Sequence, residues 1–299
     1  MGGQFWWFYD VIAVAVVLVC VFLGGRKGFT KSAISAAGCV LAAIIAFAVG
    51  SSASESLSRG TIRDSNAKKI ASNLDTDIFI MKYTNYLETM GYTIKVKQSR
   101  VEEIFESGEE YDEKLVTYLN NINGRKIEDH NVLLEKVHEG FAAVTGDIIS
   151  VSLNKYAAET AVREMIADDE YMQELVPHLM NTENMLPAAK IISEKYTAKA
   201  YETIFSLGAF VILFVVFSFI IFCCTGAFSK KRGYTHIEIA SHISGGVTGI
   251  VTGSVILLAV AAAIRLWAVM GSNEMLFFNN DVIDKSYIFK YIYGFAEKF

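Results

Sequence analysis

The chain has 299 residues, 53% of them hydrophobic, yet 20% are charged and the formal net charge is only −5. A positive mean hydropathy excludes an ordinary soluble globular protein, so apolar and charged residues have to occupy different stretches. From Ser51 to Ala200 there are 17 Lys and Arg against 25 Asp and Glu, which puts the acidity in that segment and disfavours nucleic acid as a partner.

An α-helix crosses the hydrocarbon core with about 20 predominantly apolar residues, and roughly 17 suffice. The first such run is Phe8–Leu23, extended by an aromatic belt of Phe5, Trp6 and Trp7. No Lys or Arg precedes it, Asp10 sits at its start and the positive charges follow it. It therefore reads as a retained, reversed signal anchor rather than a cleaved signal peptide. A short loop carrying Arg26, Lys27 and Lys31 leads into a second run, Ser32–Gly50, whose Ala33, Ala36, Ala37 and Gly38 give it a smooth side.

Beyond it, Ala67–Tyr86 and Val101–Asn120 repeat apolar residues at helical spacing, with Gly91 and Gly108 as weak points. Between them Tyr92–Lys97 alternates apolar and polar as a strand would, although one strand makes no sheet. Val132–Val151 and Tyr156–Met180 are again helical in pattern, the latter with a restart at Asp168, Asp169 and Glu170. Pro187 suits the first turn of a helix beginning near Leu186. That helix either runs on unbroken into the third apolar run, Thr203–Cys224, or breaks near Thr197–Tyr201.

A second basic loop, with Lys230, Lys231 and Arg232, joins this run to the fourth, Ile243–Val269. Lys and Arg in short loops stay on the cytoplasmic side, so both loops are expected inside, and both chain ends and everything from Ser51 to Glu202 outside. In the fourth run Gly245, Gly249 and Gly253 recur every four residues with Ser241 one step earlier, leaving one helix face nearly bare. In lipid such faces concentrate the contact between helices, either within the molecule or between two copies. The tail from Asp281 to Phe299 sets Ile283, Tyr287, Tyr291 and Phe295 at four-residue steps with Lys285, Lys290 and Lys298 beside them. It is expected to lie flat on the outer leaflet or to pack on the segment 51–200.

Charges at membrane depth draw attention to function. Asp10 and Arg265 both fall near the outer face under this topology and either pair with each other or act as anchors at the water boundary, Trp267 favouring the latter. All four cysteines, Cys20, Cys39, Cys223 and Cys224, lie in or at the edge of membrane segments, so no disulfide staples the segment 51–200. That segment holds His130, His138 and His178 and several serines, but no Gly-x-Ser-x-Gly elbow, which speaks against a protease. His130 and His138 stand eight residues apart, too far for a zinc-protease pair. His236, Glu238 and His242 read as interfacial polar residues, not as metal ligands. No Gly-x-x-x-x-Gly-Lys loop is present, which excludes an ATP-driven pump within this chain. No catalytic residue, metal or cofactor is expected.

An acidic residue opening the first helix (Asp10), the loop Arg26-Lys27-Gly28-Phe29 and the run Ser244-Gly245-Gly246-Val247-Thr248-Gly249-Ile250-Val251-Thr252-Gly253 together resemble the CvpA family, the colicin V production proteins. The resemblance covers about half the chain, and the segment 51–200 departs from it. So do Ser241 and His242, where the family commonly shows Asn or Asp followed by Arg. The resemblance implies a bacterial inner-membrane protein needed for colicin V production or export and for envelope integrity. It supplies no catalytic mechanism.

The expected fold is an all-α integral membrane protein with four transmembrane helices in two hairpins, 1–50 and 201–270. A mostly helical extracytoplasmic insert occupies 51–200, and a C-terminal interfacial amphipathic helix occupies 271–299. The expected function is a scaffold in cell-envelope upkeep or toxin secretion that contacts membrane lipid and recruits a protein partner through 51–200. The alternative is an oligomeric channel or export component for a small solute or peptide, with homo-oligomers as its requirement. Neutralising Asp10 or Arg265 is expected to spare a scaffold and to impair a channel.

Overall fold

The computed structural model describes residues 5–91, 94–122, 126–227, 238–271 and 280–298. Helix α1, Trp6–Lys27, ends at Gly28, whose φ of +72° lies in the left-handed region that glycine reaches without strain. Helix α2, Phe29–Ser58, starts at the next residue, so one glycine makes the turn.

Residues 58–201 form a compact unit of their own. Its helices are α3 Thr61–Ala71, α4 Thr76–Thr89, α5 Gln98–Glu106, α6 Tyr111–Ile122, α7 His130–Ser152, α8 Lys155–Ile166, α9 Tyr171–Leu179 and α10 Leu186–Ile191. Two helices expected from periodicity are each broken in two. Ala67–Tyr86 splits at Ser72–Asp75 because the Asp75 carboxylate accepts from the Ile78 N–H at 2.9 Å and starts a new helix. Val101–Asn120 splits at Gly108, whose φ is +89°. The expected restart near Asp168 falls between α8 and α9. No strand forms among the described residues. Ile94 and Val96 are buried and Lys95 is exposed, so the alternation is real, but side chains take the place of a neighbouring strand. The N–H of Val96 donates to Glu88 Oε1 and that of Lys97 to the Tyr118 hydroxyl, both at 3.0 Å.

The core of this unit is aromatic and centres on α7. Phe141 meets Phe79, Tyr83, Phe105 and Tyr171 with ring centroids 4.9–6.1 Å apart, and each buried ring contributes roughly 1.5–3 kcal/mol. The hydroxyls that enter with the rings are satisfied, Tyr83 donating to Val137 O at 3.0 Å and Tyr171 to His138 O at 2.5 Å. Gly140 and Gly146 leave room on α7 for the Tyr86 ring and the Val162 methyl, both of which an added Cβ would strike.

After α10 comes a π-helical turn, Ile192–Tyr196, and a bend at Thr197, so the helix begun at Leu186 is interrupted where the alternative reading set a break. Helix α11 is Ala198–Ala227, and α12 is Glu238–Met270. The tail is two short helices, α13 Asn280–Asp284 and α14 Phe289–Ala296, rather than one. Among the described residues four helices are long and apolar enough to cross a membrane, with spans at Trp6–Lys27, Phe29–Ser58, Ala198–Thr225 and Ile239–Met270, as in a multi-pass membrane protein. Residues 1–57 and 202–299 form a second compact unit. Many large apolar side chains of its long helices are exposed, Leu18, Phe22, Ile212, Phe219, Phe222 and Ile243 each by more than 60%, as lipid contact requires.

Candidate functional site

The membrane unit is held by a seam in which backbone touches backbone. On α12, Gly245 faces the carbonyl of Gly24, Gly249 faces Cys20 and Val21, and Gly253 faces Val17, so the glycine face lies along α1. A Cβ on Gly253 would stand 3.1 Å from Val17 Cα, and one on Gly249 would strike the Cys20 carbonyl. Gly24 returns the arrangement from α1, where a Cβ would come within 3.1 Å of Gly249 Cα. On the opposite side of the unit, Gly38 admits the Ile221 side chain, and Gly50 lies against the α11 backbone at Ser206 and Phe210.

Where the seam meets the α1–α2 turn, polar groups replace lipid-like ones. The N–H of Phe29 donates to Ser241 Oγ at 3.0 Å, and His242 Nδ1 donates to the Gly25 carbonyl at 2.5 Å. The Ser32 hydroxyl, buried, donates to Gly245 O at 3.0 Å and accepts from Thr248 at 2.5 Å. Ser241 thus belongs to the seam as part of a cap on the turn. Arg26 and Lys27 are exposed and Lys31 is half-buried beside it, while Lys230, Lys231 and Arg232 lie outside the described residues.

Between the four long helices is a cavity of about 220 Å³. Its walls include Phe214, Ile221 and Ile256, together with Lys27, Ser35 and Ser218. The Ser218 hydroxyl is shut off from solvent without a hydrogen-bond partner.

Asp10 and Arg265 do not pair with each other. Both hold α14. One Asp10 oxygen accepts from the N–H of Tyr287 at 2.8 Å, and the other from Ile288 at 2.8 Å and Phe289 at 3.0 Å. The N–H of Lys290 goes to Ser286 Oγ at 2.9 Å and that of Tyr291 to Ile288 O at 3.3 Å, which completes the donors that a helix start leaves unsatisfied. At the other end Arg265 Nη1 meets Glu297 Oε1 at 3.3 Å, a cation at the carbonyl end of the helix. The ring of Tyr9 stacks on Phe289 at 5.0 Å. The buried face of the tail is Val282, Ile283, Phe289, Tyr293 and Ala296. Of the stripe read from spacing, Ile283 is inside, whereas Tyr287, Tyr291 and Phe295 are exposed. Lys290 and Lys298 lie over the rings of Tyr291 and Phe295 at 5.3 and 5.4 Å. Burial pushes the Tyr293 phenol above its ordinary range.

In the unit 58–201 the titratable groups are engaged in fastening helices. His138 Nε2 lies 3.0 Å from Asp112 Oδ2, and Gln173 donates to the other Asp112 oxygen at 3.2 Å, tying α6, α7 and α9. His130 meets Glu113 at 3.1 Å. Lys195, in the π-helical turn, reaches Asp168 at 2.8 Å and Glu174 at 2.6 Å, and Tyr196 donates to Asp168 at 2.8 Å. Burial works against the Asp168 charge, but the bonds from Lys195, Tyr196 and the Glu170 N–H outweigh it and hold the carboxyl below its ordinary value; the same two carboxylates raise Lys195. No three His, Cys, Asp or Glu side chains converge as metal ligands among the described residues. His236 and the Glu238 side chain lie outside them.

No family model, curated protein or solved structure matches the chain.

Proposed function

We propose that the protein is a membrane scaffold of the CvpA type, in which four transmembrane helices hold an acidic helical domain outside the cell for envelope upkeep or secretion. The observation that carries this reading is the pairing of two compact units in one chain, each with its own buried cluster. Residues 58–201 close an aromatic core around Phe141, and α11 adds Ala200 and Tyr201 of its first turn to it. The membrane unit is fixed internally by glycine–backbone contact, which suits a platform better than a part that must slide. The reading assigns no catalytic residue and no cofactor. It places both chain ends and the acidic domain on the outer side of a bacterial inner membrane, as the basic residues of the α1–α2 turn favour.

Photoreactive residues at exposed positions of 58–201, crosslinked in intact cells and read by mass spectrometry, test it. The expected result is one abundant extracytoplasmic protein captured from several positions. Capture of the protein itself alone would overturn recruitment. The second reading, an oligomeric channel or export component, has the cavity between the four long helices in its favour, and its test is conductance of the purified protein in bilayers. Because Asp10 and Arg265 both secure the tail, their neutralisation reports on tail anchoring and does not separate the two readings.

A further inference from the structure

The cavity between α1, α2, α11 and α12 is lined by three donors, Lys27, Ser35 and Ser218, that find no protein acceptor among the described residues. The Ser218 hydroxyl is sealed from solvent and unpartnered, although burying a hydroxyl without a partner is unfavourable. Ser35 lines the same space from α2, and among the described residues it too makes no hydrogen bond. Lys27 stands exposed at the rim, its Nζ 6.0 Å from the centroid of Phe222, with no carboxylate beside it among the described residues. No Asp or Glu lines the cavity. The other two hydroxyls in the wall, Ser32 and Thr252, are already committed to Gly245 O and Thr248 O. The remaining walls, Leu23, Phe214, Ile221 and Ile256 among them, are apolar.

We infer that this cavity binds a small aliphatic carboxylate, its charged head held by Lys27, the Ser35 hydroxyl and the Ser218 hydroxyl once that side chain turns into the space, its chain against Phe214, Ile221 and Ile256. A carboxylate accepts from several donors at once and its bond to an ammonium is charge-assisted. A phosphate would carry more charge, with more oxygens to satisfy, into walls that are mostly apolar. A neutral alkane would leave the Ser218 hydroxyl without a partner and would use neither Lys27 nor Ser35. Size agrees, since a cavity of about 150 Å³ suffices for benzene and this one has about 220 Å³. Such a carboxylate is available from water as a short acid or from the bilayer as a fatty acid whose chain extends past the cavity. The inference does not depend on the scaffold reading.

The test uses the full chain in nanodiscs and ¹³C-carboxyl hexanoate, with binding read by saturation-transfer NMR after subtraction of empty nanodiscs. Saturable binding is expected. Lys27→Gln, at an exposed position, should weaken it by about tenfold and Ser218→Ala, which removes an unpartnered group, by about threefold. 1-Hexanol should not compete. Competition by palmitate supports the site and assigns it to a lipid-derived acid; competition by short acids alone supports it and assigns a soluble one. Absence of saturable hexanoate binding, affinity unchanged in both variants, or equal binding of 1-hexanol would each overturn the inference.

Discussion

Asp10 shows how one side chain can organise an element far away in sequence. Three consecutive N–H groups converge on its carboxylate, a charge-assisted cap of the kind that favours an anion at a helix start. Asp10→Asn keeps the shape and removes the charge and one acceptor oxygen, so α14 should lose about 1–3 kcal/mol of its hold. Hydrogen exchange would register this as faster exchange at Tyr287, Ile288 and Phe289. Arg265→Met should loosen the other end less, because Glu297 is 55% exposed and screened pairs of that kind are weak. None of this was legible in the sequence, since the partners are separated by 277 to 279 positions and nothing local marks Asp10 as a cap. The Asp75 cap was legible in principle. An Asp followed by Thr-Asp-Ile is a helix-start signal, but the unbroken apolar spacing of Ile70, Leu74 and Ile78 across it has the pattern of one long helix.

At the scale of elements, α1 and α12 depend on the absence of side chains. Gly249→Leu would drive a branched side chain into the Cys20 carbonyl, and neither backbone can yield without losing its helix. The variant should lose most of its folded yield and thermal stability in detergent, followed by fluorescence-detected size exclusion. Gly246, one turn-step away, is the control. Its nearest neighbour would be the Val21 methyl at 3.6 Å, ordinary contact, so Gly246→Ala should stay within about ±0.5 kcal/mol of the parent. The four-residue recurrence of Gly245, Gly249 and Gly253 announced a close-packed face from sequence alone. What it could not announce was the surface it meets, because Val17, Cys20 and Val21 form no run of small residues and Gly24 alone hints at a matching groove. The cavity was equally silent. Ser35 and Ser218 are single hydroxyls in apolar runs, and only their convergence gives them meaning.

At the scale of the molecule, hydropathy alone delivered four long helices because lipid demands an apolar stretch of fixed length, whereas the helix boundaries within 58–201 are set by caps, glycines and tertiary contact. The proposed topology predicts a labelling pattern. With the native cysteines replaced by serine, a cysteine at Glu109 should react in intact cells with a membrane-impermeant maleimide, and one at Arg26 should react only after lysis. The reverse pattern would refute the assigned sidedness. The grip on α14 also has a consequence in time. A ribosome makes Asp10 early and Tyr287 277 residues later, so through most of synthesis the first helix carries a carboxylate whose partners do not yet exist. The grip therefore forms last, because α14 can settle on the first helix only after residues 287 to 289 have been made.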